Sequence, residues 1–453
     1  MLFGDSEYCI ISITILQYFA LAVKQLCINR RKAMIVLNKE NLTEYLKGRL
    51  TELDYTKPLN ISAVGEGSEE EDGDGYLNFI FRVSDGKRNV IVKQGRTVGR
   101  NEDFTNLSSE RTRLEYESMM IRKAIVPEYI PDLYFYDEEN QVFVTEDVSY
   151  LKIMRFQLNK SIMFPGFDKM AADFLSRIHF YTSELFMDTG LFRELDNHFT
   201  NHKMRSIFDR ILFVSKEEFG DEKYGLSLDP EVADCVKDII FDPDAVLERY
   251  RLREIFMKTS EALIHCDYHT SNIFIGDGKM KVIDMEYAFC GPVAFDLGYL
   301  FGNLISQDVC AGFRSYEDEK EREAFRDYIM DTIEGIYTEY CRLITLYWNR
   351  DAKEEYKGVK GLQEDFFKKL LGRTIGYCSN ANLFRIASEI DFPEYSAIKD
   401  REAMRQAVTL SALMDRRMLL NRDNYKDIRD WLLDMRQLEK TYEVYVAKRE
   451  KND

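Results

Sequence analysis

The sequence changes character near Asp147, and this change limits the folds open to the chain more than any other feature. Between about residues 38 and 147, short β-rich runs alternate with turns, as in Phe79–Val83 and Asn89–Gln94, which flank a Ser-Asp-Gly-Lys-Arg turn. Beyond Asp147, apolar residues recur at helical spacing, and only the segment around residues 273–283 resembles a strand hairpin. The pattern predicts an α+β fold with two lobes, a small β-rich N-terminal lobe and a large, mainly helical C-terminal lobe, with a ligand cleft between them.

We divide the chain into three segments: an N-terminal extension (1–37), the β-rich lobe (38–147) and the helical lobe (148–453). The extension contains the apolar run Cys9–Val23, followed by the basic cluster Arg30-Arg31-Lys32. A bilayer-spanning helix needs about 20 apolar residues, more than this run offers. A signal peptide carries its positive charges before the apolar run, whereas here they follow it. Three interpretations stay open: translation that starts at Met34, a helix docked on the protein, and a membrane anchor.

Charge and cysteine content exclude several classes of partner and compartment. The chain carries 62 Lys and Arg against 79 Asp and Glu, a formal net charge of −17 at pH 7. Nucleic acids and anionic membrane surfaces are bound by clustered basic residues, so we expect neither as a partner of the two lobes. The eight cysteines are scattered without CxxC spacing, which favours a reducing, cytoplasmic compartment over an oxidising one.

The strongest local motif is an HxDxxxxN pattern that runs from His265 to Asn272. Twelve residues further on, at the end of a predicted strand, the sequence reads Asp284-Met285-Glu286. Phosphoryl transfer needs a carboxylate that orients an attacking hydroxyl and accepts its proton, and oxygen ligands that hold Mg²⁺ on the nucleotide phosphates. Asp267 is suited to the first task, and Asn272, Asp284 and Glu286 are suited to the second. The motif therefore predicts a phosphotransferase.

The N-terminal part supplies groups that such a reaction needs. The loop Gly73-Asp74-Gly75 lies between predicted strands, and glycine allows its backbone to approach phosphates closely. Lys93 lies in an apolar strand run, from which its side chain can point at the nucleotide phosphates. A helix carboxylate can hold such a lysine, and both Glu115 and Glu117 lie on the predicted helix. Glu146-Asp147 follows the last strand, where linker backbone can hydrogen-bond an adenine edge.

Two other interpretations of the HxDxxxxN loop fit the sequence less well. His265 and His269 are four residues apart, a spacing that lets two histidines on one helix bind zinc. Asn272 and the strand after it predict a loop rather than a helix, however, and the sequence offers no third cluster of ligands. Cys266 stands next to Asp267, but it has no evident activating partner beyond its neighbouring histidine. We therefore interpret His265 as hydrogen-bonding support for the loop.

Taken together, these residues give the chain a family resemblance. It resembles the kinase-like phosphotransferases of small molecules, the superfamily that contains aminoglycoside and choline kinases, and within it the family of 5-methylthioribose kinases. The resemblance covers about residues 38–440. It rests on these segments: Gly73–Phe79, Val92–Gln94, Glu110–Glu115, Glu146–Ser149, Leu151–Arg155 and Ile264–Leu304, the last especially at Ala288–Pro292 and Phe295-Asp296. The HxD and DxE motifs identify the superfamily alone, whereas the GDG-x-LNF, VKQ and LKIMR segments are similar to methylthioribose kinases.

The resemblance implies a function and a set of site residues. Members phosphorylate the 1-hydroxyl of methylthioribose with ATP and Mg²⁺, a step of methionine salvage, and are typically cytosolic homodimers. By position, Asp267 is implied as the catalytic base that faces the sugar, Asp284 and Glu286 as a metal-binding pair, and Arg385 as part of the sugar site. The implied nucleotide-binding residues of the β-rich lobe are Gly73, Asp74, Gly75, Asn78, Lys93, Glu146, Asp147 and Val148.

Two departures from the family keep other hypotheses open. An acidic insertion, Glu66–Asp72, lies in the glycine loop and disfavours anionic phosphates unless it points to solvent. The family's late pair of arginines is Phe384-Arg385 here, so a kinase of another sugar or of an amino alcohol is an alternative. A nucleotide-binding pseudokinase that acts as a regulator is a second alternative, although every expected catalytic position is filled. Asp-Met-Glu in place of Asp-Phe-Gly argues against a protein kinase.

Overall fold

The computed structural model describes residues 34–65, 78–96, 107–108, 110–213, 236–387 and 392–449. The apolar run Cys9–Val23, the acidic insertion Glu66–Asp72 and the loop Gly73-Asp74-Gly75 lie outside these residues. The chain forms two compact units. The first comprises residues up to Ile153 together with Ile273–Ala288, and the second comprises Met154–Asn272 together with the residues from Phe289 onward. The predicted division assigns residues 273–288 to the helical lobe, whereas in the structure they pack with the first unit.

The described strands form three small sheets. They are β1 (Asn60–Ala63), β2 (Phe79–Ser84), β3 (Asn89–Gln94), β4 (Leu133–Asp137), β5 (Val142–Glu146), β6 (Lys152–Ile153), β7 (Ala262–Ile264), β8 (Ile273–Gly276), β9 (Lys279–Val282) and β10 (Phe289–Gly291). The first unit holds a five-stranded antiparallel sheet of order β1-β2-β3-β5-β4 and a three-stranded sheet of order β6-β8-β9. In the second unit, β7 pairs with β10.

The helices lie mostly in the second unit. They are α1 (Leu42–Leu46), α2 (Arg111–Ile125), α3 (Met154–Leu158), α4 (Phe167–Tyr181), α5 (Thr189–His198), α6 (His202–Leu212), α7 (Pro243–Lys258), α8 (Ala294–Phe313), α9 (Glu319–Asp351), α10 (Leu362–Ala387), α11 (Pro393–Ser396), α12 (Arg401–Asn421) and α13 (Ile428–Arg449). Among these described helices, α1 and α2 belong to the first unit.

Side-chain alternation along the five-stranded sheet decides which of its faces is apolar. Valines of β2, β3 and β5 are buried in one cluster with the leucines of α1, namely Val83, Val90, Val92, Val142, Val144, Leu42 and Leu46. Because successive side chains of a strand point to opposite faces, Lys93 leaves the sheet on the face opposite Val92. The predicted β2–β3 hairpin is confirmed, and Asp85 Oδ1 closes its turn by accepting the main-chain N–H groups of Lys87 and Arg88, each over 2.7 Å.

The predicted hairpin around residues 273–283 is also confirmed. Its turn, Asp277-Gly278, has φ values of 49° and 68°, the left-handed conformation that Asp-Gly turns adopt between antiparallel strands. Lys152 and Ile153 pair with Ile275 and Phe274, and this two-residue contact makes the hairpin part of the first unit. The hairpin thus carries Asp284 and Glu286, which follow β9, into the unit that contains Lys93.

The second unit is built around α8, which is buried along most of its length. Its glycines allow α10 to approach closely, because a Cβ at Gly298 would lie 2.6 Å from the carbonyl oxygen of Thr374, and one at Gly302 would lie 2.6 Å from that of Cys378. The first turn of α8 carries Asp296, and its middle carries Asn303. Close packing of this helix therefore fixes the position of both polar side chains.

A buried ion cluster joins α13 to α8 and α9. Arg326 Nη2 lies 2.8 Å from Glu439 Oε2, and Arg326 Nε lies 3.4 Å from Asp308 Oδ1. Arg436 Nη1 lies 3.1 Å from Asp308 Oδ1 and 2.9 Å from Glu439 Oε2. Burial, together with the charge of Asp308, raises the pKa of Glu439 to about 8. We call these four residues the C-terminal ion cluster.

The structure confirms the predicted α+β fold class, with a small β-rich unit and a larger, mainly helical unit. Among the described residues, no helix combines the length and the apolar character needed to cross a membrane.

Candidate functional site

Asp267 lies in the loop that follows β7, where two side chains contact its carboxylate. Asn272 Nδ2 donates to Asp267 Oδ2 over 3.2 Å and to the main-chain oxygen of Asp267 over 3.0 Å. His269 Nε2 lies 3.3 Å from Asp267 Oδ1. The side chain of Asp267 is 13% exposed, so its orientation is set by neighbours while part of it is accessible to a ligand. A carboxylate held in this way is suited to accept a proton from a bound hydroxyl.

The carboxylate of Asp296 accepts two hydrogen bonds from the backbone of this loop. Its Oδ2 accepts the N–H of His265 over 2.7 Å, and its Oδ1 accepts the N–H of Cys266 over 2.9 Å. Cys266 has φ 68°, a left-handed conformation that is rare for a residue other than glycine and that the two hydrogen bonds stabilise. Burial opposes the ionisation of Asp296, but hydrogen bonds from His179 and from this backbone outweigh it and lower the pKa of Asp296.

The predicted supporting role of His265 has a counterpart in the structure, because Asp267 N–H donates to His265 Nδ1 over 3.2 Å. His179 and Asp296 were not predicted as site residues from the sequence. Asp296 occurred there only within a matched segment, and His179 lies on α4, far from the motif in sequence. The buried histidine and aspartate are 3.2 Å apart. An acidic residue in the first turn of an otherwise apolar helix was the one signal that could have indicated Asp296.

Asn272 was predicted as a metal ligand, and the structure leaves its oxygen available. Its Nδ2 is used in the contacts with Asp267 and approaches His269. Within the described part of the chain, Asn272 Oδ1 accepts no hydrogen bond. An amide oxygen in this state is a suitable ligand for a hard cation.

In the first unit, Lys93 is held between two carboxylates. Its Nζ donates to Glu115 Oε1 over 2.8 Å and to Asp284 Oδ1 over 2.5 Å. The sequence left the choice between Glu115 and Glu117 open, and the structure selects Glu115. Glu117 instead pairs with Arg113 Nη1 over 3.0 Å on the outer face of α2.

The second acid of the DxE motif, Glu286, is also bound by buried donors. Its Oε2 accepts Asn78 Nδ2 over 3.0 Å and Arg111 Nε over 3.1 Å. Arg111 Nη2 in turn donates to Asn78 Oδ1 over 2.9 Å, which closes a triangle of three side chains. Sequence reasoning missed Arg111, because nothing in the order of residues places the first turn of α2 beside an acid 175 positions later.

The three acids form a crowded carboxylate cluster. Glu115, Asp284 and Glu286 each offer an oxygen, and these oxygens all lie within 4.8 Å of one another. Burial raises the pKa of Glu115 to about 8 and also raises the pKa of Glu286. Burial alone would lower the pKa of Lys93, but the charges of Asp284 and Glu115 raise it above its usual range. Lys93 therefore stays charged. The three carboxylates repel one another, and the positive charge of Lys93 does not fully compensate their negative charge.

This cluster fits a divalent cation. Glu115 Oε2 is buried and, among the described residues, has no hydrogen-bond partner. Asp284 adopts φ 64°, a strained conformation that typically marks a functional position in non-glycine residues. Carboxylate oxygens are the ligands that Mg²⁺ prefers, and an added cation would relieve the repulsion among the three acids.

The predicted adenine-binding segment, Glu146 to Val148, follows β5. The Glu146 side chain accepts Asp132 N–H over 3.0 Å and the Tyr150 hydroxyl over 2.9 Å. Asp147 Oδ2 accepts Arg82 Nε over 3.0 Å. Both side chains are thus engaged in the unit itself, whereas the N–H of Val148 donates to no acceptor in the described part of the chain. Any contact with adenine would use main-chain groups.

Arg385, the predicted sugar-site residue, lies in a buried ionic contact. Its Nη1 donates to Glu394 Oε1 over 2.6 Å, and its Nη2 donates to Asn303 Oδ1. Its guanidinium also stacks at 4.5 Å from the ring centroid of Phe392. Phe384 packs against the same ring, with the two centroids 5.4 Å apart. Phe384 and Arg385 therefore both contact the ring of Phe392.

The structure brings the predicted residues together in two groups. Lys93, Asn78, Asp284 and Glu286 lie together in the first unit, and Asp267 lies with Asn272 in the second. The loop Gly73-Asp74-Gly75 lies outside the described residues.

Comparison with known proteins gives a consistent family. Residues 218–328 match the model of a family described as "Phosphotransferase enzyme family". A methylthioribose kinase from a strain of Bacillus cereus is 31% identical over 335 residues, which cover 70% of this chain and 81% of the relative. A methylthioribose kinase from a species of Geobacillus is 28% identical over 366 residues, 80% of this chain and 88% of the relative.

Two solved structures with similarity to the chain carry kinase names. A glucosamine kinase in complex with glucosamine, ADP and inorganic phosphate is 12% identical, with a TM-score of 0.42, and the match covers 77% of this chain and 80% of that one. A choline/ethanolamine kinase family protein from Mesorhizobium loti is 14% identical, with a TM-score of 0.38, and the match covers 88% of this chain and 99% of that one.

The residues matched by the family model, 218–328, include the HxDxxxxN loop and the DxE motif of this chain. At 31% identity over most of a relative's length, common descent is established, and the chain is a small-molecule kinase. This confirms the resemblance inferred from the sequence. The chain belongs to the methylthioribose kinase family.

Proposed function

We propose that the chain transfers a phosphoryl group from ATP to the 1-hydroxyl of 5-methylthioribose. The observation that carries the phosphotransfer part is the buried carboxylate cluster around Lys93. A fixed ammonium is suited to bind phosphates, and a carboxylate cluster short of positive charge is suited to bind Mg²⁺. When bound, Mg²⁺ neutralises charge on the phosphates. Asp284 and Glu286 are its proposed carboxylate ligands, and Asn272 Oδ1 is a further proposed oxygen ligand.

In this proposal Asp267 is the catalytic base. It is the only carboxylate of the HxDxxxxN loop. Asn272, which donates to the carboxylate, and His269 beside it orient the carboxylate, so that one oxygen can accept the proton of the sugar hydroxyl. The hydroxyl oxygen attacks the γ-phosphorus of ATP, and the bond from that phosphorus to ADP breaks. Lys93, in the first unit, binds the phosphates of ATP. The main-chain groups of Glu146 and Val148 bind the adenine edge, and Gly73, Asp74 and Gly75 are proposed as further nucleotide-binding residues because of their sequence motif.

Methylthioribose is the proposed acceptor because the curated relatives carry that name. Arg385 is the proposed sugar-site arginine of this chain, and the partly buried Phe384 replaces the second arginine of the family pattern. An aromatic ring there suits an apolar group such as a methylthio end. We extend the proposal to methionine salvage, to a cytoplasmic location and to a homodimer, the last of which sedimentation of the purified chain would test directly.

The test of this proposal is a coupled ADP-release assay with methylthioribose, ribose and choline at equal concentration, each with Mg-ATP. We expect methylthioribose to turn over fastest. Faster turnover of ribose or choline would overturn the assignment of methylthioribose as the acceptor, while the assignment of kinase activity would stand. If ATP binds but no acceptor on a wider panel of sugars and amino alcohols is phosphorylated, the pseudokinase hypothesis replaces the proposal.

A variant pair tests the base. Asp267→Asn should lower kcat by about 10²- to 10⁴-fold while ATP still binds, because the amide cannot accept the proton. Asp277→Asn is the matched control, since Asp277 is exposed in the β8–β9 turn and asparagine tolerates its left-handed backbone. Turnover of Asp267→Asn close to that of the control would remove Asp267 from the mechanism.

A further inference from the structure

We propose that His269 is a positioning residue for Asp267, and that it acts by donating a hydrogen bond from Nε2 to the Asp267 carboxylate. This inference rests on the proposed role of Asp267 as base. From the sequence, His269 was interpreted only as a possible zinc ligand. In the structure it lies within the HxDxxxxN loop, between Asp267 and a buried group of charged residues in the second unit.

The hydrogen bonds around the ring determine which nitrogen carries the proton. The main-chain N–H of Ser271 donates to His269 Nδ1 over 3.1 Å. Arg155 Nη2 lies 3.4 Å from the same nitrogen, and a guanidinium has only donors. Two donors directed at Nδ1 require that nitrogen to be the acceptor. The ring proton is therefore on Nε2.

This tautomer directs a donor at the base. Nε2 lies 3.3 Å from Asp267 Oδ1, while Asn272 Nδ2 donates to Asp267 Oδ2 over 3.2 Å. Asn272 Nδ2 is also 3.3 Å from Nε2, but its contacts with the main-chain oxygen and Oδ2 of Asp267, over 3.0 Å and 3.2 Å, are shorter and account for both of its hydrogens. Each carboxylate oxygen thus has one donor, which fixes the rotation of the carboxylate.

The position of Arg155 is itself fixed by a second set of contacts. Arg155 is buried at the start of α3, and its N–H donates to the carbonyl of Thr270 over 3.1 Å. Its Nε lies 4.0 Å from Glu394 Oε2, and the other oxygen of Glu394 pairs with Arg385 over 2.6 Å. Thr270 Oγ1 lies 3.4 Å from Asn303 Oδ1, which also accepts from Arg385. The contacts form a closed ring that includes His269, and the ring leaves the imidazole little freedom.

Loss of the His269 hydrogen bond should slow proton transfer without weakening the binding of ATP. If the Nε2 donor is lost, the Asp267 carboxylate can rotate, and proton transfer becomes slower without a change in the groups that bind ATP. A hydrogen bond to a charged group corresponds to about a 10- to 100-fold effect. A residue needed merely for packing would instead lower stability and affect binding and turnover together.

The test compares His269→Ala with His269→Gln. The glutamine amide reaches about as far as Nε2 and retains an N–H donor, whereas alanine has none. We expect kcat of His269→Ala to fall about 10- to 100-fold, with the KM for ATP within about twofold of that of the unmodified chain. His269→Gln should recover most of the lost kcat. Equal losses in both variants, or full activity of His269→Ala, would overturn the inference.

A second measurement does not depend on activity. The chain has five histidines, so the ¹⁵N spectrum of labelled imidazoles is simple, and the signals lost in His269→Gln assign His269. The expected result is the Nε2–H tautomer at neutral pH, and the Nδ1–H tautomer would overturn the inference. Failure of the proposed function is recognised separately, by an Asp267→Asn variant that retains its turnover.

Discussion

Lys93 Nζ lies 2.8 Å from Glu115 Oε1, so the buried lysine of β3 is held by the inner face of α2. Glu117, two positions further on, lies on the outer face and pairs with Arg113. Helical geometry separates the two acids by about 200° around the helix axis, which is why only one of them can contact the sheet. The relationship identifies the acid that orients Lys93, and it supplies a matched pair of variants.

The first prediction uses that pair. Glu115→Gln leaves Lys93 held by Asp284 alone, so the ammonium is drawn away from its position for phosphate binding. We expect kcat/KM for ATP to fall about 10- to 100-fold. Glu117→Gln should stay within about twofold, because its ion pair is partly exposed and weak. Initial rates measured against ATP concentration give kcat/KM for both variants. Equal effects of the two changes would contradict the assignment of Glu115 as the acid that orients Lys93.

The second prediction concerns the metal. Asp284→Asn and Glu286→Gln each remove one carboxylate charge from the cluster while keeping the shape of the side chain. The Mg²⁺ concentration for half-maximal activity should rise at least about tenfold in each variant, because an anionic oxygen ligand is replaced by a neutral amide oxygen that attracts the cation less. Glutamine is preferred at 286, since its amide oxygen can still accept from the buried Arg111 Nε–H, whereas alanine offers no acceptor. Rates and thermal unfolding are measured across a MgCl₂ titration.

Asp277→Asn is the control for both metal variants, because its carboxylate is exposed in the turn of the same hairpin. An unchanged Mg²⁺ requirement in both Asp284→Asn and Glu286→Gln would show that the metal is bound elsewhere.

The third prediction concerns Arg385, which combines a proposed substrate contact with a buried ion pair. Arg385→Met leaves buried Glu394 with Arg155 alone, whose Nε lies 4.0 Å from Glu394 Oε2, and removal of one partner of a buried pair costs about 3–5 kcal/mol of stability. Arg385→Met with Glu394→Gln should regain part of that stability, because the buried charge is removed as well. The KM for the sugar should stay raised in both variants, while the KM for ATP changes little.

Urea unfolding and sugar titrations of the single and double variants separate the two effects. If the sugar KM recovers together with stability in the double variant, Arg385 acts through the fold and makes no direct contact with the substrate.

The fourth prediction follows from the C-terminal ion cluster. The pKa of Glu439 is raised from an ordinary 4.5 to about 8 by burial and by the charge of Asp308. The folded chain therefore keeps a proton that the unfolded chain releases. The contribution of this group to stability is fully present below about pH 4.5 and is lost as the pH rises to about 8, with a slope of at most about 1.4 kcal/mol per pH unit.

Glutamine imitates the protonated acid, so Glu439→Gln should match the unmodified chain in thermal stability near pH 5 and exceed it near pH 8.5. Glu443→Gln is the control, since Glu443 pairs with the same Arg326 over 3.6 Å but is 58% exposed. A constant difference in melting temperature between Glu439→Gln and the unmodified chain across this pH range would contradict the assignment.

Local chemistry made much of the fold predictable. The bounds of β3 were predicted as found, because β-rich residues run unbroken from Asn89 to Gln94 after a turn whose aspartate closes it. Asp277-Gly278 likewise marked its hairpin. The sequence did not show that this hairpin joins the first unit, because that outcome depends on pairing with β6, a strand of two residues without a recognisable pattern.

In the candidate site, the sequence indicated the groups that carry charge but not those that hold them. Asp267, Asp284 and Lys93 stand in recognisable motifs. Arg111, Asp296 and His179 contact the site only because distant helices pack against it, and such contacts follow from tertiary structure rather than from spacing. The tautomer of His269 could not be predicted from the sequence either, since it depends on the position of Arg155, 114 residues earlier.

The division of the first unit into two chain segments has a consequence for biosynthesis. Lys93 and Glu115 leave the ribosome early, but β8, β9, Asp284 and Glu286 are translated only after the whole stretch from Met154 to Asn272. Until then β6 lacks its pairing partner, and the ammonium of Lys93 lacks one of its two acids. The first unit therefore stays incomplete during translation while more than a hundred residues of the other unit are synthesised. A chain truncated before Ile273 would expose this incomplete state, so nascent-chain proteolysis should show late protection of the first unit.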